Sequence, residues 1–226
     1  MDIIVENVKK VYGKDKNIFS ALNGLSCNIK SGEFVCIMGE SGSGKSTLLN
    51  LMAGFDNATS GKISIGDTVI TELSESDRAK FRRDNIGFIF QSFCLINELS
   101  ALENVMMPLL IKGINEKQAK QMAVNALQSL ELGEKLNNKP EELSGGQQQR
   151  VAIARAIVTD VDTIMADEPT GKLDSRNAKE VLEILKDINI NNKKTIIMVT
   201  HSVKASRYAD RVIYIKDGKT ENGELA

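Results

Sequence analysis

The chain is short of cysteine and proline, and neither sign of charge is in excess. Its three cysteines, Cys27, Cys36 and Cys94, are odd in number, and none lies in a Cys-x-x-Cys pair. That argues against a disulfide framework and a structural zinc site, and it fits a reducing compartment. Only 3 prolines and 17 glycines occur in 226 residues, which excludes a collagenous or low-complexity chain. Lysine and arginine number 29 against 30 aspartates and glutamates, a formal charge of −1. Such a balance gives no general attraction to nucleic acid or acidic lipid. The longest apolar runs, such as residues 105–111, fall far below the ~20 residues that cross a bilayer. Met1-Asp2-Ile3-Ile4 has no basic segment ahead of an apolar stretch, so no signal peptide is expected. Any membrane role is expected to run through a partner.

What is present is an ordinary globular composition, 42% hydrophobic and 26% charged, long enough for a sizeable core. Short β-branched runs alternate with helical patterns, the signature of α/β architecture with a largely parallel sheet. Residues 34–38, 86–90, 163–166 and 195–199 are continuous apolar runs, as strands covered on both faces require. The segment from Ile3 to Val69 holds more strands and turns and suggests a smaller antiparallel sheet. From about Ser100 to Val158 the pattern is helix after helix. Ser100-Ala101-Leu102-Glu103 predicts a capping box, and Ser74 opens an earlier helix similarly. Ala119, Met122, Ala123, Leu127 and Leu130 share one helical face, with Gly133 expected to close that helix before Pro140. No internal repeat or flexible linker is visible. The expectation is one domain over 1–226 with two lobes: a core from about 1–90 and 160–226, and a helical subdomain over about 91–159.

Three motifs carry chemistry. Gly39-Glu40-Ser41-Gly42-Ser43-Gly44-Lys45-Ser46, followed by Thr47, fits G-x-x-x-x-G-K-[ST] between a strand and a helix. Its glycines let successive backbone N–H groups face phosphate oxygens, and the helix start adds positive potential. Lys45 would reach the β- and γ-phosphates and Ser46 would bind Mg²⁺. A plain glycine–serine turn is the bland alternative, and the flanking strand and helix argue against it. The strand at 163–166 ends in Asp167-Glu168. Asp167 would hold Mg²⁺ and Glu168 would deprotonate a water, against a bland alternative of a solvated strand end. Leu143-Ser144-Gly145-Gly146-Gln147 starts another helix, with Ser144 as N-cap and two glycines baring first-turn N–H groups.

In this order the three motifs resemble the nucleotide-binding subunit of an ABC transporter, and the resemblance covers essentially the whole chain. It implies a P-loop cassette with a mainly parallel core, an N-terminal antiparallel β-subdomain and an inserted helical subdomain. It further implies that Tyr12 stacks on adenine, that Gln91 contacts Mg²⁺ or water at the Q-loop, and that His201, the single histidine, meets the γ-phosphate. Gly171-Lys172-Leu173-Asp174 falls at the D-loop, where Lys172 replaces a small residue or asparagine. Two ATP-bound copies would pair head to tail. Ser144, Gly145, Gly146 and Gln147 of one copy would close on the nucleotide held by Lys45 of the other.

The stretch from Gln91 to Leu110, with Asp167-Glu168-Pro169-Thr170-Gly171, is similar to the lipoprotein-release, macrolide-exporter and antimicrobial-peptide-resistance branch. That implies an ATPase at the cytoplasmic face of the membrane, bound to a separate permease and energising export or extraction. A mechanical regulator of an envelope enzyme, as in the related cell-division ATPases, is the second reading. A soluble ATPase acting on DNA or ribosomes is third; it expects tandem cassettes or a long coiled-coil insertion, and no nucleic-acid partner is expected here. The absence of an Asn-Lys-x-Asp motif disfavours a GTPase.

Overall fold

Side chains alternate along a strand, so an apolar run buried on both faces feeds two cores at once. The computed structural model, which describes residues 1–13 and 18–221, is organised by that alternation. Strand β3 (Phe34–Met38) is buried at every position. Its Phe34, Cys36 and Met38 face one hydrophobic cluster, and its Val35 and Ile37 face another. Each such side chain contributes about 1.5–3 kcal/mol by leaving water, so a charge at Ile37 would disable one whole layer.

The central sheet has six strands in the order β10-β9-β3-β8-β7-β6. They are β6 (Ile86–Ile89), β7 (Thr163–Asp167), β8 (Thr195–Val199), β9 (Arg211–Lys216) and β10 (Lys219–Thr220) beside β3. All neighbours pair in parallel except β10, which turns back antiparallel on β9. A second, antiparallel sheet runs β2-β1-β4-β5, from β1 (Ile3–Tyr12), β2 (Phe19–Ile29), β4 (Ser60–Ile65) and β5 (Thr68–Val69). Helix α1 (Lys45–Met52) lies between the two sheets, its Leu48, Leu49, Leu51 and Met52 filling the second cluster. Helix α2 (Glu75–Asn85) leads into β6 and is capped by Ser74, whose hydroxyl accepts from the Asp77 N–H.

Helices α3 (Ala101–Ile111), α4 (Glu116–Ser129) and α5 (Gly145–Ile157) sit between β6 and β7 and pack on the first cluster with α6 (Ser175–Asn192). The short α7 (Val203–Ser206) follows β8. The capping box at Ser100 and Glu103 forms as the sequence predicts. Two details differ. Met122 is 37% exposed, so the buried stripe of α4 is Ala119, Ala123 and Leu127. The helix also ends before Gly133. Glu131 takes the left-handed turn at φ 60, and Gly133 instead opens a 3₁₀ turn. Leu130 and Leu132 are both buried, and the chain must reverse between them, so anchoring outweighs the steric preference for glycine.

Candidate active site

The loop from β3 to α1 is shaped by its neighbours. Gly39 lies against β9, where a Cβ would stand 2.1 Å from the Ile215 carbonyl oxygen. Only glycine fits that approach. Gly44 turns at φ 103 and caps α1. Lys45 is buried and folds back, its Nζ donating to the carbonyls of Gly39 at 2.9 Å and Glu40 at 2.7 Å. Those two partners are neutral carbonyls that an incoming anion could replace. Ser41, Gly42 and Ser46 are exposed, whereas Ser43 is buried.

Strand parity brings the metal-type ligands together. Met165 of β7 faces the cluster that contains α1, and Asp167, two residues on, keeps that direction. Ser46 on α1 donates its hydroxyl to Asp167 Oδ1 at 3.0 Å. Burial raises the Asp167 carboxyl above the usual range, and the nearby Glu168 charge adds to this. The Ser46 bond and the Lys45 charge pull the other way. A carboxylate desolvated this far is one that a cation would relieve.

Glu168 leaves the strand by adopting φ 46, a left-handed state that costs a non-glycine residue about 1–2 kcal/mol. Its N–H still bonds the Val199 carbonyl, so the strain sits at the tip of β7. The turned carboxylate meets the end of β8. Oε2 accepts from Thr200 Oγ1 at 3.2 Å, and Oε1 lies 2.9 Å from His201 Nδ1. The Glu168 side chain is 15% exposed and that of His201 73%. This is a sheltered carboxylate oriented by two neighbours, beside an accessible imidazole.

Gln91, just past β6, reaches the same corner, with its Nε2 2.9 Å from where a Gly171 Cβ would be. Tyr12, at the end of β1, donates its hydroxyl to Asp56 Oδ2 at 2.8 Å, and the Lys10 ammonium lies 4.6 Å from its ring centroid. Burial and the Asp56 bond raise the phenol's pKa, opposed by a bond with Thr47 on α1. The 40% exposed ring therefore stands beside the helix that follows the phosphate loop. Asp174 is engaged differently: its carboxylate caps α6 by accepting from the N–H groups of Arg176 and Asn177.

The Leu-Ser-Gly-Gly-Gln segment forms a full capping box. Ser144 Oγ accepts from Gln147 N at 3.3 Å, and Gln147 Oε1 from Ser144 N at 2.9 Å. Ser144 remains exposed and Gly145 half-buried. Gly146 is buried for a packing reason, because a Cβ there would stand 2.0 Å from Asn177 Oδ1 of α6. The expectation that both glycines bare the backbone therefore does not extend to Gly146, whose place is set by this close approach to α6. The structure thus gathers Lys45, Ser46, Gln91, Asp167, Glu168 and His201 at one end of the central sheet. Among the described residues no hydrogen bond joins residues 144–147 to the 39–47 loop.

Two groups escape sequence reasoning. Phe55, Phe88 and Phe90 form an aromatic cluster with centroids 4.4–6.0 Å apart, and Arg82 covers Phe55 at 4.6 Å. Their separation along the chain hides it. Arg155 of α5 donates to the carbonyls of Phe93 and Cys94, and burial lowers its pKa. One charge inside the apolar run 151–158 is the signal that could have revealed it.

Comparisons with known proteins agree with this fold. Residues 22–171 match the family described as ABC transporter. An uncharacterized ABC transporter ATP-binding protein of Methanocaldococcus jannaschii is 45% identical, over 98% of this chain and 96% of its own length. The lipoprotein-releasing system ATP-binding protein LolD of Pseudoalteromonas translucida is 42% identical, over 96% and 95%. A solved dimeric cassette of the first relative, in a post-hydrolysis state bound to ADP and Pi, superposes with a TM-score of 0.91 at 43% identity, covering 98% of this chain and 97% of that one. The chain belongs to the ABC transporter family and is one of its ATP-binding, ATP-hydrolysing cassettes.

Proposed function

We propose that this cassette hydrolyses Mg-ATP between two copies of itself, using the residues gathered at the end of the central sheet. The observation that carries this reading is the pairing of Ser46 with Asp167 while Glu168, the next residue, is turned onto Thr200 and His201. Adjacent carboxylates in different environments are suited to different tasks.

In this reading Lys45 exchanges its two carbonyl partners for β- and γ-phosphate oxygens, and the N–H groups of residues 39–47 complete the cradle. The Tyr12 ring stacks on adenine. Magnesium fits the donors present: Ser46 and Asp167 offer two hard oxygens, the ligand type this ion takes. Ser46 and Asp167 would hold the ion, which when bound would supply charge neutralisation at the transferring phosphoryl group. Gln91, against Gly171, would join the ion's shell or orient water. Glu168 accepts the proton of the attacking water, and His201 holds the carboxylate and faces the γ-phosphate. Ser144 and the Gly145–Gln147 helix start of the second copy close the site, and Asp174 lies at the contact between copies.

No helix among the described residues is long and apolar enough to cross a membrane. We assign the membrane step to a separate permease, with the cassette at the cytoplasmic face and the ATP-driven closing and opening of the pair as the stroke. The relationship to a lipoprotein-releasing ATPase supports export or extraction of a lipoprotein, peptide or hydrophobic compound.

The test is Glu168→Gln. A general base contributes about 10²–10⁴-fold, so turnover should fall at least about a hundred-fold while ATP binding persists and a nucleotide-bound dimer accumulates in light scattering. Unchanged steady-state turnover refutes the base assignment. A solely monomeric ATP-bound variant refutes the shared site.

A further inference from the structure

The loops that follow β6 and β7 meet at two successive residues. The Gln91 amide lies over Gly171, whose absent Cβ would also be 3.5 Å from the Cβ of Glu168. One residue further along both loops, Lys172 Nζ donates to Ser92 Oγ at 2.9 Å. This lysine is the one departure from the family pattern in the D-loop, and the structure gives it a partner within its own chain.

The far side of the same loop is held by α5. Phe93 and Cys94 both adopt left-handed backbone, at φ 60 and φ 50. Two such non-glycine residues in a row persist only where surrounding contacts over-determine them. Arg155 supplies those contacts by donating to both carbonyls, and the Phe93 ring lies 3.8 Å from the Cβ position of Gly145. Residues 91–94 are therefore a strained turn pinned between the signature helix and the loop of the acid pair. Arg155 anchors its far end, and Lys172 anchors the end that carries Gln91.

Lys172 and Ser92 are both exposed, and a hydrogen bond in water adds little to the stability of the fold. Its effect is geometric: it fixes which way the start of the turn faces. We propose that Lys172 is a positioning residue for ATP hydrolysis, which through Ser92 holds Gln91 against Gly171 and beside Glu168. This rests on the reading of Gln91 and Glu168 given above. The two neighbouring loops then move as one body.

The chain contains no tryptophan, so Phe93→Trp introduces a single indole into this turn. In that background and without nucleotide, Lys172→Met, Ser92→Ala and the double variant should lower the indole anisotropy equally, and Lys172→Arg should preserve it. In the parent chain, Lys172→Met should reduce kcat about three- to ten-fold, the size expected for one lost orienting hydrogen bond. The KM for ATP should stay within about two-fold, since the nucleotide contacts are untouched, and the Mg²⁺ midpoint of the rate should rise. The double variant should be no slower than the slower single one. Effects that multiply in the double variant overturn the proposal. So does a change in anisotropy without a change in kcat, or the reverse. Should Lys172→Met not fold, Ser92→Ala against the parent supplies the same comparison. The anisotropy series involves no turnover, so it judges the strap even if Glu168→Gln stays active and the reading of the acid pair falls.

Discussion

Gly146→Ala sets helix propensity against packing at one atom. The substitution adds a methyl in the first turn of α5, where alanine is favoured over glycine by at most about 1 kcal/mol. The new Cβ would stand 2.0 Å from Asn177 Oδ1, 2.5 Å from its Cγ and 3.1 Å from its Cβ. The first two overlaps are relieved if the amide swings away, but that breaks its bond to the Asp174 carboxylate. The third involves an atom fixed to the α6 backbone, so the helices must also separate slightly. Overpacking of this kind costs about 1–3 kcal/mol; three simultaneous overlaps belong in the upper half of that range, which leaves a net destabilisation of about 1–2 kcal/mol. For a chain of this size that is roughly 3–6 °C in Tm, measurable by calorimetry or circular dichroism without nucleotide. The mechanism has a signature: in an Asn177→Ala background, which removes the two closest overlaps and keeps only the Cβ contact, the same Gly146→Ala change should cost clearly less. A rise in Tm in the parent background, or an equal loss in both backgrounds, refutes the reasoning.

Asp167→Asn should raise the Tm of the nucleotide-free protein at pH 7. Because the folded-state pKa lies above the unfolded value, the charged carboxylate penalises folding at neutral pH. That penalty vanishes as pH falls through the raised value to the unfolded one, so the advantage of Asn should shrink in acid; an advantage that grows in acid contradicts the sign. The same variant should lose the extra thermal shift that Mg²⁺ gives with ATP. Tyr12→Ala should weaken ATP binding about ten-fold, the scale of one base–aromatic stack, whereas Tyr12→Phe should retain affinity although it lacks the hydroxyl bonded to Asp56. Equal weakening in both would assign the effect to that bond instead.

Four of the six strands of the central sheet, β3, β6, β7 and β8, were legible because burial on both faces leaves an unbroken apolar run, and Thr195–Val199 appears as read; β9 was not, because its buried and exposed positions alternate. Caps were legible too, since the pairing of Ser100 with Glu103 and the N-cap at Ser144 are local chemistry. The phosphate loop and the acid pair announced themselves by residue type. What the sequence hid was tertiary. That Glu131 rather than Gly133 would take the left-handed turn depends on leucines anchored to a core assembled from distant helices. That Phe93 and Cys94 would twist left-handed depends on Arg155, some sixty residues on. The fold of Lys45 onto two carbonyls is set by how the loop closes, which no periodicity encodes. The aromatic cluster joins Phe55 to Phe88 and Phe90 only once β6 is in place.

The buttress behind Gly39 bears on biosynthesis. The loop that is to grip phosphate leaves β3 early in the chain, yet its rear wall is the carbonyl of Ile215, and the Gly218 N–H bonds back to the Ser43 oxygen. A ribosome-tethered fragment ending before β9 has neither support. Contacts this distant in sequence form late, so the nascent polypeptide stays unable to grasp triphosphate until its closing hairpin docks. Competence for fuel and completion of the central sheet therefore arrive in the same step.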